Sequence, residues 1–146
     1  MINNFEMEIG GRLLKFEHGR VAAQAGGAIT VQYGDTMLLA TATASKKPRP
    51  GADFLPMTVD VAEKAYAGGK LPGGFFKREG RPSTEAILAS RMIDRPIRPL
   101  FSKTIHNEIQ IIVTILASDK VNPYPAIGII GASTALAISD IAFNDP

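Results

Sequence analysis

Residues 108–117, EIQIIVTILA, limit the fold more than any other stretch of this chain. Ile109, Ile111, Ile112, Val113, Thr114 and Ile115 are β-branched, and the run is almost wholly apolar. Such a segment predicts the central strand of a sheet, covered on both faces. The rest of the chain must then supply neighbouring strands and a cover.

Strand candidates precede it. Phe5 to Ile9 alternates apolar and acidic side chains, Gly10-Gly11 offers a turn free of φ restriction, and Leu13 to Glu17 resumes extended character, which reads as a β-hairpin. Ala28–Tyr33 and Thr36–Thr43 flank Gly34-Asp35 and read as a second hairpin. Leu55 to Ala62 is a further strand. Between them Ser45–Asp53 carries three basic residues, two prolines and a glycine, the composition of a solvated loop with nucleic acid contact as the functional alternative. Ala65–Gly74 holds four glycines and a proline without periodicity, and reads as a mobile loop.

Two helices complete the set. Ser83 can cap a helix with Glu85 in its first turn, with Ile87, Leu88, Met92 and Ile93 as its apolar face and Pro96 and Pro99 as its end. Asn122-Pro-Tyr-Pro125 opens a second helix, where Gly128, Gly131 and Ala132 permit close approach of another element. The 19 uncharged residues from Val121 to Ser139 contain two prolines and several hydroxyl side chains, so a buried helix fits them better than a membrane span. Four or five strands and two helices give one α+β domain.

A chain of 146 residues with 45% apolar and 21% charged residues suits one soluble domain with its own core. It has no cysteine, which removes disulfides, thiolate nucleophiles and cysteine-bound zinc, and fits a reducing cytoplasm. The first residues show neither a basic leader nor an apolar segment of a secretory signal. The ending Phe143-Asn-Asp-Pro146 is turn-like, and more chain is expected beyond it.

Several chemistries fail on spacing. Gly69-Lys70 matches the end of a phosphate-binding loop, but Leu71 stands where a magnesium-binding hydroxyl is needed and the upstream glycine is missing. His18 and His106 have no ligand-spaced partner and read as surface or capping residues. Ser83, Ser90 and Ser133 have no neighbouring histidine to activate them.

Charge is more telling. Lys77, Arg78, Arg81, Arg91, Arg95 and Arg98 face Glu79, Glu85 and Asp94, a local +3 in a chain of net +2. Arg91 and Arg95 are spaced i,i+4, a like-charge pair that costs roughly 0.2–0.5 kcal/mol on a helix. Either Glu85 and Asp94 compensate it, or an anion does. Phe75 and Phe76 lie in the glycine-rich loop, outside any apolar face. Exposed rings beside cations suit single-stranded nucleic acid, whose bases stack while its phosphates meet Lys and Arg.

The segments GGFFKREGRPSTEAILASRMIDRPIRPLF, QAGGAITVQYGDTMLLATATASKKPRPGADFLPMTVD and IGASTALAISDIAFNDP resemble the bacterial polynucleotide phosphorylases, in register along nearly the whole chain. That family implies a 3′-to-5′ phosphorolytic exoribonuclease, in which inorganic phosphate attacks the terminal phosphodiester of RNA and releases nucleoside diphosphates, with Mg2+ assisting. It implies a cytoplasmic homotrimeric ring and partners in an RNA-degradation complex. The resemblance covers residues 1–146 as part of the first RNase PH-like domain. That fold is a mixed sheet with helices on one face, related to a ribosomal small-subunit protein domain, and here C-terminally truncated. The family's second RNase PH-like domain, with its phosphate and metal ligands, and its helical, KH and OB-fold domains have no counterpart here. No catalytic or metal residue is therefore expected in this chain.

Carried over by motif, Phe75, Phe76, Lys77 and Arg78 belong to a loop that grips RNA in the channel, Lys77 standing where many relatives have arginine. Arg91, Arg95 and Arg98 match positions near the RNA path or the interface with the second domain. The competing reading is a non-catalytic RNase PH-like module of an exosome-type ring, which contributes RNA binding and assembly. Cutting the domain short is also expected to leave a sheet edge or an apolar face without its cover.

Overall fold

A computed structural model describes residues 2–74 and 80–143. Six strands form one mixed sheet: β1 (Asn3–Ile9), β2 (Arg12–His18), β3 (Gly27–Tyr33), β4 (Thr36–Pro48), β5 (Met57–Glu63) and β6 (Asn107–Ala117). Their order is β1-β2-β3-β4-β6-β5, antiparallel throughout except for the parallel pair β5–β6. Two helices, α1 (Thr84–Ile97) and α2 (Tyr124–Ala137), pack against one face of it.

Both hairpins stand where the glycines put them. Gly10 and Gly11 turn with φ of 60° and 74°, and Gly34 with φ of 60°, a region closed to most side chains. The strand count is six, above the four or five expected. β4 runs on to Pro48 and absorbs the first part of the segment read as a loop. Ala65–Gly68 forms a short 3-10 helix inside the stretch read as aperiodic.

β6 is an interior strand, paired on both sides but next to the edge strand β5, and it is not covered on both faces. Ile109, Ile111, Val113 and Ile115 are buried, while Gln110 is exposed and Ile112 and Thr114 are only half-buried. Both helices lie on the side of the odd-numbered residues, so the β-branched content of this strand reports propensity as much as burial. Val31, Leu38, Ala40, Ala42 and Val61 join the buried set, together with Ile93, Ala132 and Leu136 from the helices.

α2 sits down tightly. A Cβ at Gly131 would stand 2.9 Å from Leu38 Cδ1 and 3.2 Å from Ala40 Cβ, and one at Gly128 2.9 Å from Ile93 Cδ1. These positions admit the sheet and α1, as the small residues foretold. At the far end Gly27 of β3 meets the helix, where a Cβ would lie 1.9 Å from the Ala135 carbonyl oxygen.

α1 differs from its reading in two ways. Its inner face is Ala86, Ala89, Ile93 and Ile97, whereas Ile87, Leu88 and Met92 are 47%, 58% and 53% exposed. The rotation that brings the small alanines against the sheet turns the larger residues away. Pro96 does not end the helix but lies in its last turn, where the missing N–H costs one bond and Arg98 N–H still reaches the Asp94 carbonyl. A 3-10 turn, Arg98–Leu100, follows.

Candidate nucleic-acid interface

Position begins with Ser83. Its backbone is extended, and its hydroxyl accepts a hydrogen bond from Ala86 N–H at 3.0 Å, satisfying one of the free donors at the start of α1. The same hydroxyl donates to Glu63 at the end of β5, and the other carboxylate oxygen of Glu63 accepts from the Tyr124 hydroxyl in the first turn of α2. One carboxylate thus ties a strand to the entries of both helices. Burial, then the bond to Glu63, pushes the Tyr124 phenol up, so it stays a donor.

Arg98 holds the other end of α1. Its guanidinium makes a fork with Asp94, at 3.0 Å from Nε and 2.7 Å from Nη2. Nη1 and Nη2 also donate to the carbonyls of Leu55 (3.1 Å) and Met57 (2.9 Å). Pro56 presents its carbonyl to Ile109 N–H of β6, so in a parallel ladder Leu55 and Met57 point to the opposite, open side of β5. Arg98 therefore caps the first carbonyl of the free edge of β5, a place where a bare strand would invite pairing, and shares the Leu55 carbonyl just before it with Met57 N–H. Every nitrogen of this guanidinium has a partner within the protein.

Arg91 and Arg95 have another environment. Both are exposed, and neither makes a hydrogen bond or ion pair with another described residue. Asp94, which the spacing offered to Arg91 as well, is committed to Arg98. Glu85 makes no ion pair with these arginines among the described residues. Among the described residues the like-charge pair thus stands uncompensated, on an outer face shared with Ile87, Leu88 and Met92. Phe75, Phe76, Lys77 and Arg78 lie outside the described residues. Arg81 lines a cleft of about 350 Å³ between the end of β5 and the start of α1, with Asp60, Glu63 and Ser83.

A second polar junction went unread in the sequence. Asp119, in the turn between β6 and α2, accepts from Thr36 Oγ1 (2.9 Å) and from the N–H groups of Val121 and Asn122 (2.8 Å each). The Asn122 N–H first, with the other donors, holds its carboxyl well below the usual carboxylate range against the opposing effect of desolvation. The Arg12 guanidinium reaches Asn122 Oδ1 and joins β2 to the knot. The Asp-x-x-Asn spacing is the signal that could have found this turn. Glu63 had none, because its two partners come from distant segments.

Among the described residues no group of three His, Cys, Asp or Glu side chains is placed to hold a metal. His18 lies in β2 opposite Asn3 and Ile29, and His106 precedes β6 with its Nδ1 enclosed and without a hydrogen-bond partner. No helix among the described residues is long and apolar enough to cross a membrane.

A mixed sheet with helices on one face has counterparts among known proteins. Residues 10–142 match the family model described as 3′ exoribonuclease family, domain 1, and the chain belongs to that RNase PH family. Polyribonucleotide nucleotidyltransferase of Heliobacterium modesticaldum is 58% identical over 142 residues, which cover 97% of this chain and 20% of that protein. The protein of the same name from Roseiflexus sp. is 60% identical over 145 residues, 99% and 19%. This chain thus spans about one fifth of the length of these relatives. Among solved structures, rice Rrp46 matches with a TM-score of 0.63 at 17% identity, over 88% of this chain and 57% of that one. An Archaeoglobus fulgidus exosome with RNA bound to the active site matches with a TM-score of 0.65 at 16% identity, over 97% and 52%. Both share the fold.

Proposed function

We propose that this chain is part of a polyribonucleotide nucleotidyltransferase, a phosphorolytic 3′-to-5′ exoribonuclease, and that its own share of the work is handling RNA and assembling the ring. The observation that carries the reading is identity of 58% and 60% to proteins of that name along nearly the whole chain. In this reaction inorganic phosphate attacks the 3′-terminal phosphodiester and a nucleoside diphosphate leaves. Arg91 and Arg95, exposed and without protein partners among the described residues, suit the phosphates of a single strand, where each neutralised phosphate releases counterions. Arg98 serves the fold instead, since its donors are already engaged.

Magnesium and the attacking phosphate would be held by residues beyond those described here, because the described carboxylates and histidines do not gather into a ligand set. The whole protein would work as a homotrimer in the cytoplasm, with partners of RNA degradation. Two measurements test the division of labour. The 146-residue chain incubated with poly(A) and phosphate should release no nucleoside diphosphate, and phosphate-dependent release would overturn it. In the full-length protein, Arg91→Ala with Arg95→Ala should weaken RNA binding and flatten its dependence on salt by about 0.7 in log–log slope for each phosphate no longer neutralised. An unchanged slope would remove these arginines from the RNA path.

A further inference from the structure

We propose that the extended segment Ser45–Arg49, together with Phe54, forms a second binding surface for single-stranded RNA, separate from α1; the proposal rests on the RNA reading above but not on the same residues. Lys46, Lys47 and Arg49 fall within four positions, all exposed, and none makes an ion pair with a described residue. Their acidic neighbours are Glu108 on β6, Asp53 in the same segment and Asp140, which lines a cleft with Lys46; all three are exposed and none makes an ion pair with the three cations. Three like charges held together are self-repulsive, and a polyanion is the partner that relieves this.

The segment is not a slack loop. Ser45 Oγ donates to the Lys47 carbonyl at 2.7 Å and accepts from Glu108 N–H at 2.9 Å, Asn107 Nδ2 donates to the Ser45 carbonyl at 2.7 Å, and Arg49 N–H donates to the His106 carbonyl at 2.8 Å. Pro48 and Pro50 fix two further φ angles. None of these bonds uses a cationic head group, so the ribbon is shaped beforehand and its charges remain available. Preorganisation of this kind lowers the ordering cost of binding.

Phe54 supplies the second half of the argument. It is 70% exposed, directly after the turn in which Ala52 N–H meets the Arg49 carbonyl. An open aromatic ring five positions along the chain from Arg49, with the exposed Asp53 just before it, offers a base a stacking platform while phosphates meet Lys and Arg, which is how single strands are bound without sequence preference. The position also fits. β4 pairs Ala44 with Ile109, and Ile109 pairs with Met57, whose carbonyl Arg98 holds. The ribbon and the start of β5, to which Arg98 ties the C-terminal end of α1, therefore share one end of the sheet, the two strands standing two strand spacings or about 10 Å apart. A strand lying on Arg95 has the ribbon within reach.

The test is fluorescence anisotropy of a labelled oligo(A) of about 16 nucleotides on the 146-residue chain, from low to moderate salt. Lys46→Gln with Lys47→Gln and Arg49→Gln should flatten the salt slope by about 0.7 for each phosphate no longer neutralised. Phe54→Ala should weaken binding about fivefold or more at every salt concentration with the slope unchanged, and should have no effect on a duplex of the same length. Single changes at Lys47 and Arg49, with melting temperatures alongside, distinguish weaker RNA binding from a damaged fold. Unaltered affinity in the triple variant, beside weaker binding for Arg91→Ala with Arg95→Ala, would overturn the ribbon and leave the RNA reading standing. Failure of the unaltered chain to bind oligo(A) would overturn both. Equal binding of an acidic peptide, with no effect of Phe54→Ala, would assign the surface to a protein and sink the proposal.

Discussion

The two helices cover the same sheet by opposite means. α2 uses glycine and alanine where it touches β3, β4 and α1, and its large residues Ile127 and Leu136 are buried as well, though Ile130 is exposed. α1 turns Ala86, Ala89, Ile93 and Ile97 inward and leaves Ile87, Leu88 and Met92 outside with two arginines. Among the described residues α2 is thus the more enclosed helix, and α1 presents the broader apolar surface.

The sharpest way to break the contrast is on the α2 side. Gly27→Ala places a methyl group 1.9 Å from the Ala135 carbonyl oxygen, and the backbone must move to admit it. A destabilisation of about 3 kcal/mol is expected, at the upper end of overpacking costs, read as a lower urea midpoint. Tolerance of alanine would mean that α2 rides more loosely than described. Next in size is the anchor of α1. Arg98→Ala leaves Asp94 and the Met57 carbonyl at the edge of β5 without this donor, while the Leu55 carbonyl keeps its bond from Met57 N–H, and should cost about 2 kcal/mol, reduced by partial exposure. It should also promote self-association through the uncapped edge, which sedimentation at rising concentration will show. Ser83→Ala should cost about 1 kcal/mol, the ordinary worth of an N-cap. The smallest effect sharpens the comparison most. Leu88→Ala and Met92→Ala should each change the stability of this chain by no more than about 0.5 kcal/mol, because more than half of each residue is exposed. A destabilisation near 2 kcal/mol, typical of a truncated core residue, would return these side chains to the interior.

Much of this arrangement was legible because local chemistry decides it. Gly10-Gly11 and Gly34 set the two hairpins, Ser83 marked its helix, and Gly128 and Gly131 announced a close approach. The α+β class followed from these elements, and helices on one face from the family resemblance. Failures came where size and partner outweigh pattern. Apolar periodicity pointed to Leu88 and Met92, but alanines fit the narrow gap over β5, and a pattern of hydrophobicity does not record which face is the thinner. Ile112 looked as buried as Ile111, since propensity for a strand and burial in it use the same residues. The arginines divided in a way no spacing reveals. Arg98 finds its carbonyls on residues 55 and 57, some forty positions back, while Arg91 and Arg95 find nothing among the described residues.

The strand order carries a consequence for how the protein comes into being. β1 to β4 are linked by hairpins and can pair as soon as each leaves the ribosome, but β6, which must lie between β4 and β5, is made last of the six. Until it arrives, thirteen residues of β4 and all of β5 wait with unsatisfied edges, and α1 has only half a sheet to rest on. Closure of the sheet is thus a single late insertion between two finished strands, slow by its long loops and exposed to wrong partners meanwhile. A nascent chain halted before residue 107 should be the species that chaperones hold.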